Sequence, residues 1–281
     1  MSFRVIKGTF HIVGYSPDGD SIRFKADDPT RWDALMGRAV KVNTKGHAQL
    51  RIEAIDTLET HYLSNHQPPE FADLATDQLF TLLGITNVVW NATRSRVVSA
   101  GDNVPGYVVS RTTERNGRPV SFLFSGIEEL DDGQEVFLNK TIARRSVNFK
   151  MLSKGLAYPT FYDGMFYDLR ELFAQESSKA REANLGVWSV DRTNVYTKIT
   201  SMEDVTETNV LLPKLFRRIV SYIKKHNSFD ANDFVADLKG EPEKVLILNI
   251  LHFTHLDNLI TVSDSGRVKL SCRPEDLVFL E

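Results

Sequence analysis

A single cysteine in 281 residues, Cys272, excludes an intramolecular disulfide and argues against any thiolate metal site. Long apolar runs are also missing, and none approaches the length needed to span a membrane. The opening Met1-Ser2-Phe3-Arg4-Val5-Ile6-Lys7-Gly8 lacks the continuous apolar core of a signal peptide. A cytoplasmic location is therefore the expectation, although secreted proteins without disulfides share these features. Charge of one sign is equally scarce. The formal net charge is −3, and the balance is near neutral on both sides of residue 192. Without a broad positive field, any polyanion would be held by local arginines and metal ions. What is present is ordinary for a water-soluble globular protein: 42% hydrophobic and 25% charged residues, in a chain long enough for two modest domains or one elaborated domain.

Period-two alternation predicts strands over 3–13 and 21–25, joined by the turn Ser16–Gly19, and further strands over 87–92, 107–111 and 120–124. The stretch 26–45 reads as an inserted loop or short helix on the surface, and the acidic run Glu128, Glu129, Asp131 and Asp132 as a solvated loop. Helical spacing of Phe71, Leu74, Ala75, Leu79, Leu82 and Leu83 predicts a helix over 70–83, with two more over 146–154 and 165–183. The polar stretch 193–208 reads as a linker. Beyond it, Leu211, Leu212, Leu215, Phe216, Ile219, Val220 and Ile223 form an apolar stripe, with Lys214, Arg217, Arg218, Lys224 and Lys225 turned away from it. A short helix over 230–238, a very apolar helix over 243–255 and a hairpin around Asp264-Ser265-Gly266 complete a winged-helix-like layout over 209–281. The third of those helices has almost no Arg or Lys, which favours a packing or protein-interaction role over base reading.

Three short stretches carry chemistry. Pro17-Asp18-Gly19-Asp20-Ser21 is a turn with two carboxylates before an alternating run. Arg51-Ile52-Glu53-Ala54-Ile55-Asp56-Thr57-Leu58-Glu59-Thr60 begins as a half-buried strand and ends in two carboxylates three residues apart. Such a pair repels itself unless a cation, hydrogen bonds or water compensates, so it points to hard-metal or phosphoryl chemistry. Asn116-Gly117-Arg118 is a third turn, feeding an arginine into another strand. Asp20 and Asp56 are hard oxygen ligands of the kind calcium or magnesium takes, and the Thr57 carbonyl can complete one side of the shell. Asp18 reads as support for its turn.

In this order the pieces resemble the staphylococcal nuclease (thermonuclease) family, whose pattern is D-G-D-[ST], then R-x-x-x-x-D-T-x-E, then G-R. Val147-Asn148 through Lys154-Gly155-Leu156-Ala157, and Glu182-Ala183-Asn184-Leu185-Gly186-Val187-Trp188-Ser189, resemble that family's second helix with its exit and its closing segment. The resemblance covers residues 1–192. It implies an α+β chain with an OB-fold-like five-stranded β-barrel and three helices, followed here by the 193–208 linker and the small C-terminal domain. It implies a calcium-dependent nuclease cutting DNA or RNA by metal-assisted attack of water, leaving 5′-hydroxyl and 3′-phosphate ends. Glu59 then corresponds to the general base or water-orienting group, Arg51 and Arg118 to the pair that stabilises the transition state, and Asp20, Asp56 and Thr57 to the ion's ligands.

Several positions depart from the family pattern. Asn116 stands in place of a tyrosine, Arg115 in place of a lysine that would also face the substrate, and Leu58 in place of a proline that would stiffen the turn. Phe161 or Tyr162 is expected to stack on a base. The rival reading is a non-catalytic nucleic-acid- or protein-binding module on the same fold. Against it stands the complete set of Asp20, Arg51, Asp56, Glu59 and Arg118, which a pseudo-enzyme has no evident physical reason to keep.

Overall fold

The computed structural model describes residues 2–126 and 130–280; Glu128 and Glu129 of the acidic run lie outside the described residues. The protein is α+β, and its chain falls into two compact units, Met1–Glu53 with Thr76–Met151 and Ala54–Ala75 with Leu152–Glu281. Among the described residues no helix is long and apolar enough to cross a membrane.

Numbered along the chain, the first unit holds β1 (Phe3–His11), β2 (Ser21–Ala26), β3 (Ala48–Ile52), β5 (Thr86–Trp90), β6 (Val97–Gly101), β7 (Val104–Thr113), β8 (Pro119–Ser125) and β9 (Glu135–Val136); β4 (Ile55–Asp56) belongs to the second. β1 pairs antiparallel with both β2 and β7, β2 with β3, and β7 with β8, while β3 and β8 run parallel. The five strands thus close into a mixed barrel, in an order compatible with an OB-like fold. Its interior is filled by alternate residues of these strands, among them Ile6, Phe10, Ile22, Phe24, Leu50, Val108 and Leu123. The insert after β2 does more than decorate the surface. Its 3-10 helix Pro29–Ala34, capped by Asp28, buries Trp32 edge-on to Phe24. Asp132 of the acidic run is likewise engaged, accepting from the Lys7 amide at 2.9 Å and from Arg31 Nε at 2.8 Å.

At the end of β1, the rings of His11 and His47 stack 4.0 Å apart, both largely buried. His47 Nδ1 lies 3.0 Å from the Tyr15 hydroxyl, and His11 lies 2.8 Å from Thr9 Oγ1 and 3.6 Å from Asp102. Burial first, then the charges of His11, Lys25 and Lys45, push His47 down to about 4 from 6.5. Burial also lowers His11, against the opposing pull of Asp102. The unfolded chain therefore takes up protons that the folded one refuses. The stability these rings contribute is fully present above about pH 6.5 and is lost as pH falls toward 4. Thermal unfolding should shift downward across that window, and His47→Gln should flatten the dependence.

In the second unit β4 pairs antiparallel with β10 (Tyr158–Pro159), placing Tyr158 opposite Asp56. The Tyr158 ring packs edge-on to Trp188, and its hydroxyl donates to Asp191 Oδ1 at 2.7 Å. Two of the sequence pieces meet here. The Val187 amide donates to the Gly155 carbonyl at 2.9 Å, and a Cβ on Gly186 would sit 2.1 Å from that same oxygen, at a φ of 54°. Only glycine fits both constraints. Gly186→Ala is expected to cost about 2 kcal/mol or more, read as a lowered urea midpoint.

α1 (Pro69–Leu83), α2 (Lys140–Ala143), α3 (Val147–Ser153) and α4 (Tyr167–Glu182) match the helices predicted over 70–83, 146–154 and 165–183, with α2 an added single turn. Leu74 alone of the predicted α1 stripe is exposed. α5 (Pro213–His226) and α6 (Ala231–Gly240) follow as predicted, with Phe216, Ile219, Val220 and Phe234 in one buried cluster. The stretch 193–208 is no free linker, because Thr193, Thr197, Ile199 and Val205 are buried in this unit.

The expected helix over 243–255 is instead a hairpin of β12 (Lys244–Ile247) and β13 (His252–His255), turning at Leu251 with φ 51°. It joins a sheet ordered β11 (Phe161–Tyr162), β16 (Leu277–Phe279), β12 and β13. An apolar run this short is equally readable as a strand, and pairing with β16 decides it: Val245 and Ile247 point inward, while Ile250, Leu251 and Phe253 are left exposed. With the third helix gone, the winged-helix layout does not hold. The β14 (Ile260–Val262) and β15 (Val268–Leu270) hairpin forms as expected.

Candidate functional site

The barrel gathers three of the sequence-predicted residues of the first unit by register. Ser21 stands opposite Arg51 across β2 and β3, and the Ile52 amide donates to the Asp20 carbonyl at 3.0 Å. Arg51 in turn pairs with Val120 on β8, two residues beyond Arg118. Asp18 holds the turn, accepting from Ser21 Oγ at 2.5 Å. Arg118 owes its position to Glu114, a residue the sequence reading missed. The buried Glu114 carboxylate accepts from the amides of Asn116 (2.9 Å) and Arg118 (3.1 Å) and from Arg118 Nε at 3.3 Å. Burial alone would raise its pKa, but the Arg118 amide, the Arg118 charge and the Asn116 amide together hold it below the usual carboxylate value. Arg115, next in the turn, is exposed.

In the second unit the chain leaves Ala54 in a left-handed conformation (φ 69°) and delivers Asp56 and Thr57 into buried positions, with Glu59 half-buried after them. Gln67, fully buried, fastens this turn. Its side chain accepts from the Glu59 amide at 3.2 Å and donates to the Leu211 carbonyl at 2.8 Å, and its amide donates to the Glu59 carbonyl at 2.8 Å. The Tyr62 hydroxyl adds a 3.1 Å contact to Ser221 on α5.

Arg217 of α5 reaches both carboxylates. Nη2 donates to Asp56 Oδ2 at 2.7 Å, while Nη1 donates to Asp56 Oδ1 at 3.1 Å and to Glu59 Oε1 at 2.5 Å. The fork is bidentate on Asp56 and shared with Glu59, the strongest geometry available to an arginine and a carboxylate. Burial would lower the pKa of this guanidinium, but the charges and hydrogen bonds of Asp56 and Glu59 outweigh it and hold the value well above the ordinary one. Sequence periodicity placed Arg217 on the solvent face of its helix. Lys214 and Arg218, assigned to the same face, instead pair with Glu243, Lys214 being buried.

Phe161, expected to stack on a base, is fully buried in β11 and presents no face to a ligand. Tyr162 is half-buried beside Phe279, with Lys214 Nζ 5.4 Å from its ring. As the side chains stand, Asp56 and Glu59 do not fit a divalent cation, because a guanidinium already lies against both. Among the described residues no three His, Cys, Asp or Glu side chains form a group that could hold a metal ion. Comparison with protein families and with curated proteins returns no match.

Proposed function

We propose that the protein is a nuclease, a phosphodiesterase acting on DNA or RNA, and that its Asp56 and Glu59 rest in a state neutralised by Arg217. The observation that carries this reading is the convergence of two carboxylates, three residues apart, on one point of positive charge within hydrogen-bonding distance of both. A buried turn with that arrangement is a cation locus, whichever cation fills it.

In this reading Glu59 takes the proton from the attacking water. By the family resemblance, Arg51 and Arg118 take the role of planar forks that stabilise phosphate charge in the transition state. Glu114 fixes Arg118 by its side chain and its amide, so that this guanidinium is positioned before substrate arrives. Hydrolysis in this sense leaves 5′-hydroxyl and 3′-phosphate ends.

A second reading is favoured by the same arginine. If Asp56 and Glu59 serve only to pair with Arg217, the chain is a binding module and its carboxylates are kept for structure. One assay separates the two: incubate the full chain with single- and double-stranded DNA and RNA in calcium, in magnesium and in chelator, and analyse product ends. Calcium-dependent cuts with 3′-phosphate ends support the nuclease; intact substrate under every condition leaves the binding module.

A further inference from the structure

We infer that the second unit carries a binding face for single-stranded nucleic acid, formed by the outer side of β15 and of the segment 193–198 bonded to it. The inference goes beyond the proposed chemistry and does not need it, since a chain can hold a strand without cutting it.

The fold brings together two basic stretches that contain no acid. Residues 192–200 hold Arg192 and Lys198, residues 265–273 hold Arg267, Lys269 and Arg273, and neither stretch has an Asp or a Glu. Far apart in the chain, they are joined by backbone hydrogen bonds. The Thr197 amide donates to the Val268 carbonyl at 2.9 Å, the Val268 amide donates to the Thr197 carbonyl at 3.0 Å, and the Leu270 amide donates to the Thr193 carbonyl at 2.8 Å. Alternation then sorts the side chains. Thr197, Ile199, Val268 and Leu270 are buried, which leaves Tyr196, Lys198, Arg267 and Lys269 on the opposite face. Lys269 Nζ lies 4.4 Å from the centre of the Tyr196 ring. Positive charge is thus concentrated locally in a protein whose formal net charge is −3.

The acids beside these cations are engaged elsewhere. Asp204, beside Lys198, accepts from the Thr200 amide at 2.6 Å and the Ser201 amide at 3.0 Å. Glu275, beside Arg273, is buried 3.2 Å from Arg181. Asp264 at the hairpin turn subtracts one charge. The surplus still suits a polyanion.

Tyr196 selects among polyanions. It is 37% exposed among the cations, so a base can stack on it while neighbouring phosphates meet Arg267 and Lys269, and only an unpaired base offers its face. The cation–π contact that now occupies the ring is weak at so exposed a site, and a stacked base is worth more. An anionic membrane would instead call for large apolar side chains to insert beside the charges. Tyr196, Lys198, Arg267 and Lys269 supply a hydroxyl and three cations in their place.

The test is fluorescence anisotropy on the full-length protein in chelator, with a labelled oligo(dT) strand and the same strand in duplex with oligo(dA). Co-sedimentation with phosphatidylcholine vesicles containing phosphatidylserine runs beside it. The variants are Arg267→Gln/Lys269→Gln, Lys198→Gln, Tyr196→Ala and, as a control for net charge, Lys224→Gln/Lys239→Gln on α5 and α6, each checked by circular dichroism. The parent should prefer the single strand. Arg267→Gln/Lys269→Gln should weaken binding at least tenfold and make the slope of log affinity against log salt shallower by about 1.4, two phosphate contacts at about 0.7 each. Lys198→Gln, which leaves the hairpin untouched, should show a smaller loss of the same kind, Tyr196→Ala should cost roughly fivefold or more, and the control should match the parent. A parent that does not bind, a face variant that binds like the parent, or an equal loss in the control overturns the inference. So does duplex binding as tight as single-strand binding, or vesicle binding that depends on these residues while oligonucleotide binding does not. Cleavage in calcium is measured separately. A parent that binds through this face without cutting removes the nuclease reading and leaves the face, whereas a parent that cuts while Arg267→Gln/Lys269→Gln keeps its affinity and KM removes the face and leaves the nuclease.

Discussion

Asp56→Ala is expected to destabilise the protein by about 3 kcal/mol, the low end for breaking a buried ion pair. The substitution removes a carboxylate that is 7% exposed and leaves Arg217, itself only 27% exposed, facing Glu59 alone. A catalytic carboxylate held near a second one usually strains its fold, and its removal then relieves repulsion. Arg217 reverses that sign here, because each oxygen of Asp56 already accepts a hydrogen bond from it. Urea denaturation gives the number. A double-mutant cycle with Arg217→Ala should return a favourable coupling above about 1 kcal/mol. A more stable Asp56→Ala chain would mean that the pair is not formed in solution.

The second large effect is on turnover. Glu59→Gln should lower the cleavage rate by roughly a hundred- to ten-thousandfold, the range associated with losing a positioned general base. Glutamine is nearly isosteric and still offers Arg217 an acceptor oxygen in place of Glu59 Oε1, so the melting temperature and the affinity for single-stranded nucleic acid should change little. That split makes the measurement diagnostic. A variant that cuts as fast as the parent removes Glu59 from the chemistry, and one that fails through unfolding would show it in the melting curve.

The barrel and α5 are legible in the sequence for a shared reason: one face is buried over several consecutive turns or pleats, so the apolar spacing repeats often enough to be read. The turns around Asp20, Asp56 and Arg118 are legible through residue type alone. Other features escape because their cause lies far along the chain. Arg217 occupies a polar position on an amphipathic helix, which by periodicity means solvent, and nothing local indicates that residues 158 and 161 positions earlier supply its partners. Phe161 lies in a strand of two residues, too short for any alternation to reveal that it is core. The run 245–251 is apolar enough for a buried helix, and only the partner strand β16 makes it a hairpin. Glu114 is hidden differently, as a glutamate beside a turn in a loop whose polarity looks ordinary.

The separation between Glu59 and Arg217 has a consequence for the protein while it is being made. A ribosome adding 5–20 residues per second takes roughly ten to thirty seconds to travel those 158 positions. Throughout that interval the nascent polypeptide carries both acids without Arg217 opposite them, and β16, an inner strand of its sheet, is later still. The second unit therefore cannot reach its final pairing until translation is almost finished, and chaperones would meet it with the turn at 56–59 still open.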